Sequence, residues 1–274
     1  MRIRMYNNTK LIKGEKIMKT FKKVMAILMA LALTVLTFAS CGNTEKAPVE
    51  GADAPAVLRM GTNAAFPPYE YVEGEKIVGI DAEIAELLAE KLGMTLEITD
   101  MDFGGIISAV QNGIVDIGLA GMTVTDERLE SVNFSESYAT GIQVVIVPED
   151  SDIKTPDDLN GKLIGVQEAT TGDAYATDDF GEESVKRYTN GSTAVAALLN
   201  GSVDAVIIDN EPAKVFVEQT AGLKLLDTEY VVEDYAIAVA KDNTELLDKI
   251  NTALAELKAD GSIDKIIEKY IPAE

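Results

Sequence analysis

The chain has 274 residues, with 24 Lys and Arg against 46 Asp and Glu, one Cys, no His and no Trp. A formal net charge of −22 repels phosphate backbones and anionic lipid headgroups, so nucleic-acid and direct membrane-surface binding are not expected. Without His, His-dependent triads and nearly all zinc or haem sites are removed, so no catalytic residue, metal or cofactor is expected.

The charge is unevenly placed. Residues 1–40 hold eight basic residues and one acid, leaving 16 basic and 45 acidic residues from Cys41 onward, a balance of −29. Residues 1–17 look like no targeting segment and are expected to be an upstream extension from a mis-annotated start, with Met18 the expected initiator. From Met18, "MKTFKKVMAILMALALTVLTFASCG" sets Lys19, Lys22 and Lys23 before an apolar run at 24–38. That order predicts a secretory signal peptide over 18–40, since the run is shorter than the roughly 20 residues a spanning helix needs. Ala39 and Ser40 before Cys41 are similar to the lipobox of bacterial lipoproteins, although Phe38 stands where an aliphatic residue is usual. Cys41 is therefore expected to be lipid-modified, anchoring the protein outside the cytoplasm on the bacterial cell membrane. The alternative is a free cysteine beside an ordinary cleavage site. The small, polar, Pro-containing residues 41–56 predict a flexible tether.

Beyond the tether, strands alternate with helices, which argues for a parallel α/β architecture. A short strand is expected at 57–60. In "DAEIAELLAEKLG", Ile84, Leu87, Leu88 and Leu92 recur at helical spacing, with Asp81 as the expected N-cap and Gly93 past the end. "TLEITDM" reads as a strand, "GGIISAVQNG" as a short helix and "IVDIGLAG" as the strand after it. The pattern then recurs. "AVQNGIVDIGLAG" at 109–121 and "ALLNGSVDAVIIDN" at 197–210 share a helix end, an Asn-Gly stop, Val-Asp and an apolar strand. One copy per half predicts two similar lobes rather than a repeat array. "SYATGIQVVIVPED" is expected to carry the chain into the second lobe and "DYAIAVAKDN" to return it. The final 244–270, helical but interrupted at Gly261, is expected to pack on the first lobe. The boundaries predicted are 57–141 for lobe 1, 142–234 for lobe 2 and 235–274 for the return.

Ligands of open α/β sheets sit beyond the carboxyl ends of strands, where "GMTVTDERLE" and Asp209 both fall, one per half. A cleft between lobes is where they would meet. Arg128 carries a planar fork suited to a carboxylate, beside Gly121, which permits close backbone approach, and the hydroxyls of Thr123 and Thr125. The other reading pairs Arg128 with a nearby acid such as Glu127 or Glu130. Thr170, Thr171 and Gly172 precede an expected helix, where backbone N–H groups suit an anion, or where Thr simply caps. Asp209 suits an ammonium group, or caps the helix that Pro212 announces. Phe66, Tyr69, Tyr71 and Phe103 are either a ligand clamp or core.

Taken together, "GTNAAFPPYEY", "GIDAEIAELLAEKLG", "MDFGGIISAVQNGIVDIGLAGMTVTDERLESVNFSESY", "GVQEATTGDAYA" and "NGSVDAVIIDN" resemble the polar amino-acid solute-binding proteins of ABC importers, solute-binding protein family 3. The resemblance implies two α/β lobes joined by two hinge strands, a type II periplasmic-binding-protein-like fold with its ligand in the inter-lobe cleft. It implies that Arg128 binds an α-carboxylate with Thr123 and the Gly121 backbone assisting, and that Thr171 completes the grip. Asp209 would take the α-ammonium, and Phe66 and Phe103 would flank the side chain. Asn63 stands where members that bind cationic ligands often have Asp, while Glu70 and Glu168 remain to receive a basic side chain. Gln167 and Ile208 flank the pocket motifs. The partners implied are a free L-amino acid, polar or basic, and a permease, with the protein acting as a monomer. Two other classes compete. A secreted dehydratase-like enzyme on the same scaffold would need Glu70 or Glu168 as general acid or base, and a receptor's sensor module would need a further membrane segment that the sequence does not supply.

Overall fold

A computed structural model describes residues 55–226 and 230–272. The predicted upstream extension, signal peptide, Cys41 and all but the last two residues of the tether lie outside the described residues.

In chain order the strands and helices are β1 Val57–Thr62, β2 Ala65–Phe66, β3 Glu70–Glu73, β4 Lys76–Val78, α1 Ile80–Leu92, β5 Thr95–Asp100, α2 Ile106–Gln111, β6 Ile117–Gly118, α3 Asp126–Ser131, β7 Val132–Phe134 and β8 Ala139–Pro148. There follow β9 Ile164–Gln167, α4 Thr171–Phe180, β10 Val185–Tyr188, α5 Gly191–Leu199, β11 Ala205–Asp209, α6 Asn210–Gln219, β12 Leu223–Leu225, β13 Val231–Tyr235, β14 Ala238–Ala240, α7 Thr244–Ala259 and α8 Ser262–Tyr270.

One sheet runs β5-β1-β6-β14-β7 and the other β10-β9-β11-β8-β12, with β13 also on β8. In each, the early strands are parallel (β5, β1 and β6; β10, β9 and β11) and the later ones antiparallel. The echo read in the sequence has a matching role in both lobes. Asp116 accepts the Arg59 backbone N–H at 2.8 Å and Asp204 accepts the Leu163 backbone N–H at 2.8 Å. In each case the acid after an Asn-Gly stop pins the returning chain to the neighbouring parallel strand. The strand expected at 114–121 is shorter than predicted: only Ile117–Gly118 enter the ladder.

Helix α1 forms where its period predicts, burying Ile80, Ile84, Ala85, Leu88 and Ala89. Gly93 ends it in a left-handed turn, φ 66°. Its start differs from expectation. The N-cap is Gly79, with φ 125°, and a Cβ there would lie 2.3 Å from the Tyr69 carbonyl oxygen. Asp81 lies inside the first turn, and its fully buried carboxylate faces the core instead of the helix end.

The two sheets are joined by β8 and β13, which pair antiparallel from Ala139↔Tyr235 to Gln143↔Val231. Past Tyr235 the chain enters the first sheet as β14. Helices α7 and α8 return onto α1 through Leu254, Ile263 and Ile266, all buried. Ion pairs Lys91–Glu256 and Lys269–Glu83 lie along the rim of that contact. The fold is thus two α/β lobes on two hinge strands.

Candidate functional site

The carboxyl ends of β1, β6, β9 and β11 converge on one small cavity between the lobes. Asn63, Phe66, Glu70, Phe103, Gly121, Thr123, Arg128, Thr171 and Asp209 all line it, together with Ala120, Gln167 and Thr170. Glu168 does not: it is exposed, because the chain turns at Ala169 and points the preceding side chain to solvent. Tyr69 lies buried behind Phe66 with ring centres 5.7 Å apart, and Tyr71 lies off the lining.

Arg128 sits on α3, which begins because Thr125 caps it, its Oγ1 accepting the Arg128 N–H at 3.1 Å. The guanidinium Nη1 donates to the Thr123 carbonyl at 2.8 Å, and Nη2 crosses the cleft to the Ala169 carbonyl at 3.1 Å. Its carbon lies 5.3 Å from the centre of the Phe103 ring. Among the described residues no carboxylate forms an ion pair with it, so the reading that pairs it with Glu127 or Glu130 does not hold. Burial lowers its pKa, while the more distant charges of Glu233 and Asp209 favour the cation. A guanidinium has five N–H donors, of which two are spent on carbonyls, so it keeps donors for an anion.

Asp209 ends β11 and stands at the N-cap position of α6, yet its side chain makes no capping bond. It accepts the hydroxyl proton of Tyr235 instead, and burial pushes its carboxyl up to about 7. A buried carboxyl held near neutrality is poised to ionise when a cation arrives.

At the second lobe the two threonines divide their work. Thr170 is the cap, its Oγ1 accepting the Asp173 N–H at 3.3 Å. Thr171 donates its hydroxyl to Glu233 Oε2 at 3.0 Å. Glu233, on hinge strand β13, also accepts from Gln143 at 2.9 Å and from Tyr175 at 3.0 Å. Sequence reasoning passes over Glu233, because nothing in "VVEDYAIAV" distinguishes a buried acid from a surface one on an alternating strand. Ala169 holds a left-handed backbone, φ 65°, which turns its carbonyl toward Arg128. Asn63 donates to the Met101 carbonyl at 2.9 Å and accepts from Gln167 across the cleft at 2.9 Å.

Behind the lining, Asp81 joins the site to the fold. Its Oδ2 accepts the Gly121 N–H and the Tyr138 hydroxyl, each at 2.8 Å. Gly121 has φ 53°, and a Cβ there would come within 2.8 Å of the Phe66 ring. Glu70 is fully buried beside Asp81, and neither of its carboxyl oxygens has a hydrogen-bond partner among the described residues.

A two-lobed α/β fold whose cleft presents an unpaired cation from one lobe and an acid from the other is that of a solute receptor. The chain belongs to the bacterial extracellular solute-binding proteins, family 3, matching that family over residues 58–273. It is 34% identical to the arginine-binding extracellular protein ArtP of Bacillus subtilis (strain 168) over 258 residues, 92% of this chain and 99% of that protein. Its fold matches an ancestral arginine-binding protein bound to arginine, with a TM-score of 0.75 and 44% identity over 79% of this chain and 98% of that one. It also matches the arginine-, lysine-, histidine-binding protein ArtJ from Geobacillus stearothermophilus, with a TM-score of 0.76 and 35% identity over 79% and 96%. The chain is a solute-binding protein and not an enzyme.

Proposed function

We propose that this protein captures a polar L-amino acid, with basic ones preferred, by closing its two lobes, and delivers it to the permease of an ABC importer. One observation carries the reading: Arg128 and Asp209 face one small cavity from opposite lobes, each without an oppositely charged partner among the described residues. An α-carboxylate at Arg128 and an α-ammonium at Asp209 would satisfy both, and only a zwitterion brings the two together. Removing one partner of such a buried pair costs roughly 3 to 5 kcal/mol.

The remaining roles follow from position. Thr123 and the Gly121 backbone flank the carboxylate site, with Thr171 opposite. The Thr171 hydroxyl proton is committed to Glu233, so its backbone N–H at the start of α4 is the donor that completes the grip. Phe66 and Phe103 flank the ligand's side chain, whose far end reaches Asn63 and Glu70. A cationic end suits Glu70, and the relatives that bind arginine agree with that preference. Cys41 is lipid-anchored, the tether spans 41–56, the lobes divide at 141 and 234, and the protein works as a monomer.

A thermal-shift screen against the twenty amino acids tests this, run on wild type and Arg128→Ala. Ligand at 100 times its Kd stabilises the folded state by about 2.7 kcal/mol, and the shift is expected for basic amino acids and lost in the variant. No shift with any amino acid would overturn the reading.

A further inference from the structure

We propose that Glu70 carries a proton in the unliganded protein, shared with Asp81, and that a cationic ligand side chain takes that proton's place. The inference deepens the reading above and rests on its assignment of a basic ligand.

The geometry supplies the argument. Glu70 and Asp81 are both fully buried, and the Asp81 backbone N–H donates to the carbonyl of Tyr69, the residue before Glu70, at 2.9 Å, which brings the two acids together. Three of their four oxygens, both of Glu70 and Oδ1 of Asp81, have no partner among the described residues. Two neighbouring buried carboxylates without a cation are strongly disfavoured from both ionising, whereas one proton between them satisfies two of those oxygens. The proton's owner follows from the neighbours. Asp81 Oδ2 already accepts from Gly121 and Tyr138, which favours its charged form, while nothing favours a charge on Glu70. Burial beside Asp81 and Asp209 holds the Glu70 carboxyl well above the usual range, and burial holds Asp81 up to about 6. The other ionisable groups around the pair are Tyr69, Tyr138 and Tyr235, all with raised pKa values, and Arg128 on the lining of the same cavity.

The exchange balances. Glu70–COOH against Asp81–COO⁻ holds one negative charge. When a guanidinium or ammonium enters, the Glu70 O–H bond breaks, its proton leaves to the buffer and the carboxylate pairs with the incoming cation. The pair then holds two negative charges and one positive, the same net charge as before, so no additional unbalanced charge is buried. A neutral side chain offers no such replacement and leaves the proton in place. Below the apparent pKa of the pair, affinity for a cationic ligand therefore rises about tenfold per pH unit relative to a neutral isostere.

Titration calorimetry of L-arginine and its neutral isostere L-citrulline at pH 7, in phosphate and in Tris, measures the protons released on binding. Asp209 meets the same α-ammonium in both ligands, so its contribution cancels in the difference. Arginine is expected to release about one proton more than citrulline, and Glu70→Gln to remove that difference. The infrared difference spectrum of wild type gives a readout independent of the variant's folding: beyond the loss from Asp209 that both ligands share, a second protonated-carboxyl band is lost with arginine and kept with citrulline. Binding of arginine with equal proton release and no loss of that band overturns the shared proton while leaving the basic-ligand reading intact. Failure of arginine and lysine to bind at all overturns both.

Discussion

At the scale of single residues, the site sets charge against burial. Arg128→Ala removes the only cation among the described residues that line the cavity. It is expected to weaken amino-acid binding by about two to four orders of magnitude, from roughly 3 to 5 kcal/mol, measured by calorimetry. Arg128→Lys should restore little, because an ammonium cannot hold two carbonyls and grip a carboxylate with the same fork. Asp209 makes an opposite prediction for stability. Its folded pKa of about 7 lies above that of an exposed Asp, near 3.9, so the folded state binds the extra proton between those values. Stability contributed by the protonated form is complete below about pH 4 and is lost as pH rises through about 7. The unliganded protein should therefore melt lower at pH 8 than at pH 5. Asp209→Asn should reduce that slope, leaving the part that the buried Glu70 and Asp81 contribute with the same sign, and gain stability at pH 8 at about 1.4 kcal/mol for each pH unit that separates the folded from the exposed value, while losing ligand binding. Thermal melts across pH, with and without ligand, check both halves.

Among the elements, magnitudes decide what docks the C-terminal helices. The ion pairs of α7 and α8 with α1 lie at the surface, where such pairs contribute about 0.2 to 1 kcal/mol. Leu254 beneath them is fully buried, and truncating a buried leucine costs about 2 to 5 kcal/mol. Leu254→Ala should therefore shift the urea midpoint several times further than Lys91→Ala. The legibility of these elements in the sequence differs with the reach of their signals. Helix α1, its Gly93 stop and the break at Gly261 are legible because period and terminators act over a few residues. The expectation that Asp81 caps α1 fails because an acid at a helix start is the same symbol whether it turns back on the backbone or inward. Only Gly121 and Tyr138, 40 and 57 positions away, settle that choice.

For the whole molecule, function rests on two lobes that meet through few bonds. Arg128 to Ala169 and Gln167 to Asn63 cross the cleft directly, while β8 and β13 hold the lobes from one side. Closure under such a balance is a population shift, driven by a ligand that contacts both lobes at once. Solution scattering should show a smaller radius of gyration with bound amino acid. Gln167→Ala, which removes a crossing bond without touching Arg128 or Asp209, is expected to weaken binding by about tenfold or less, given roughly 0.5 to 1.5 kcal/mol for a net hydrogen bond.

The sequence by itself pointed to the two-lobed α/β organisation, the family and most of the residues that line the cavity, including Arg128, Asp209, Phe66 and Phe103. The two-lobed organisation follows from periodicity and turn chemistry, and the family and site residues from the resemblance of short motifs, all of which act within a few positions of the chain. Only the tertiary structure decided which acids matter and how. It exposed Glu168, drew Glu233 from a hinge strand onto Thr171, and buried Glu70 against Asp81 without a cation. Burial and charge pairing arise from elements brought together across the fold, and a carboxylate's energy depends on those neighbours far more than on its place in the chain.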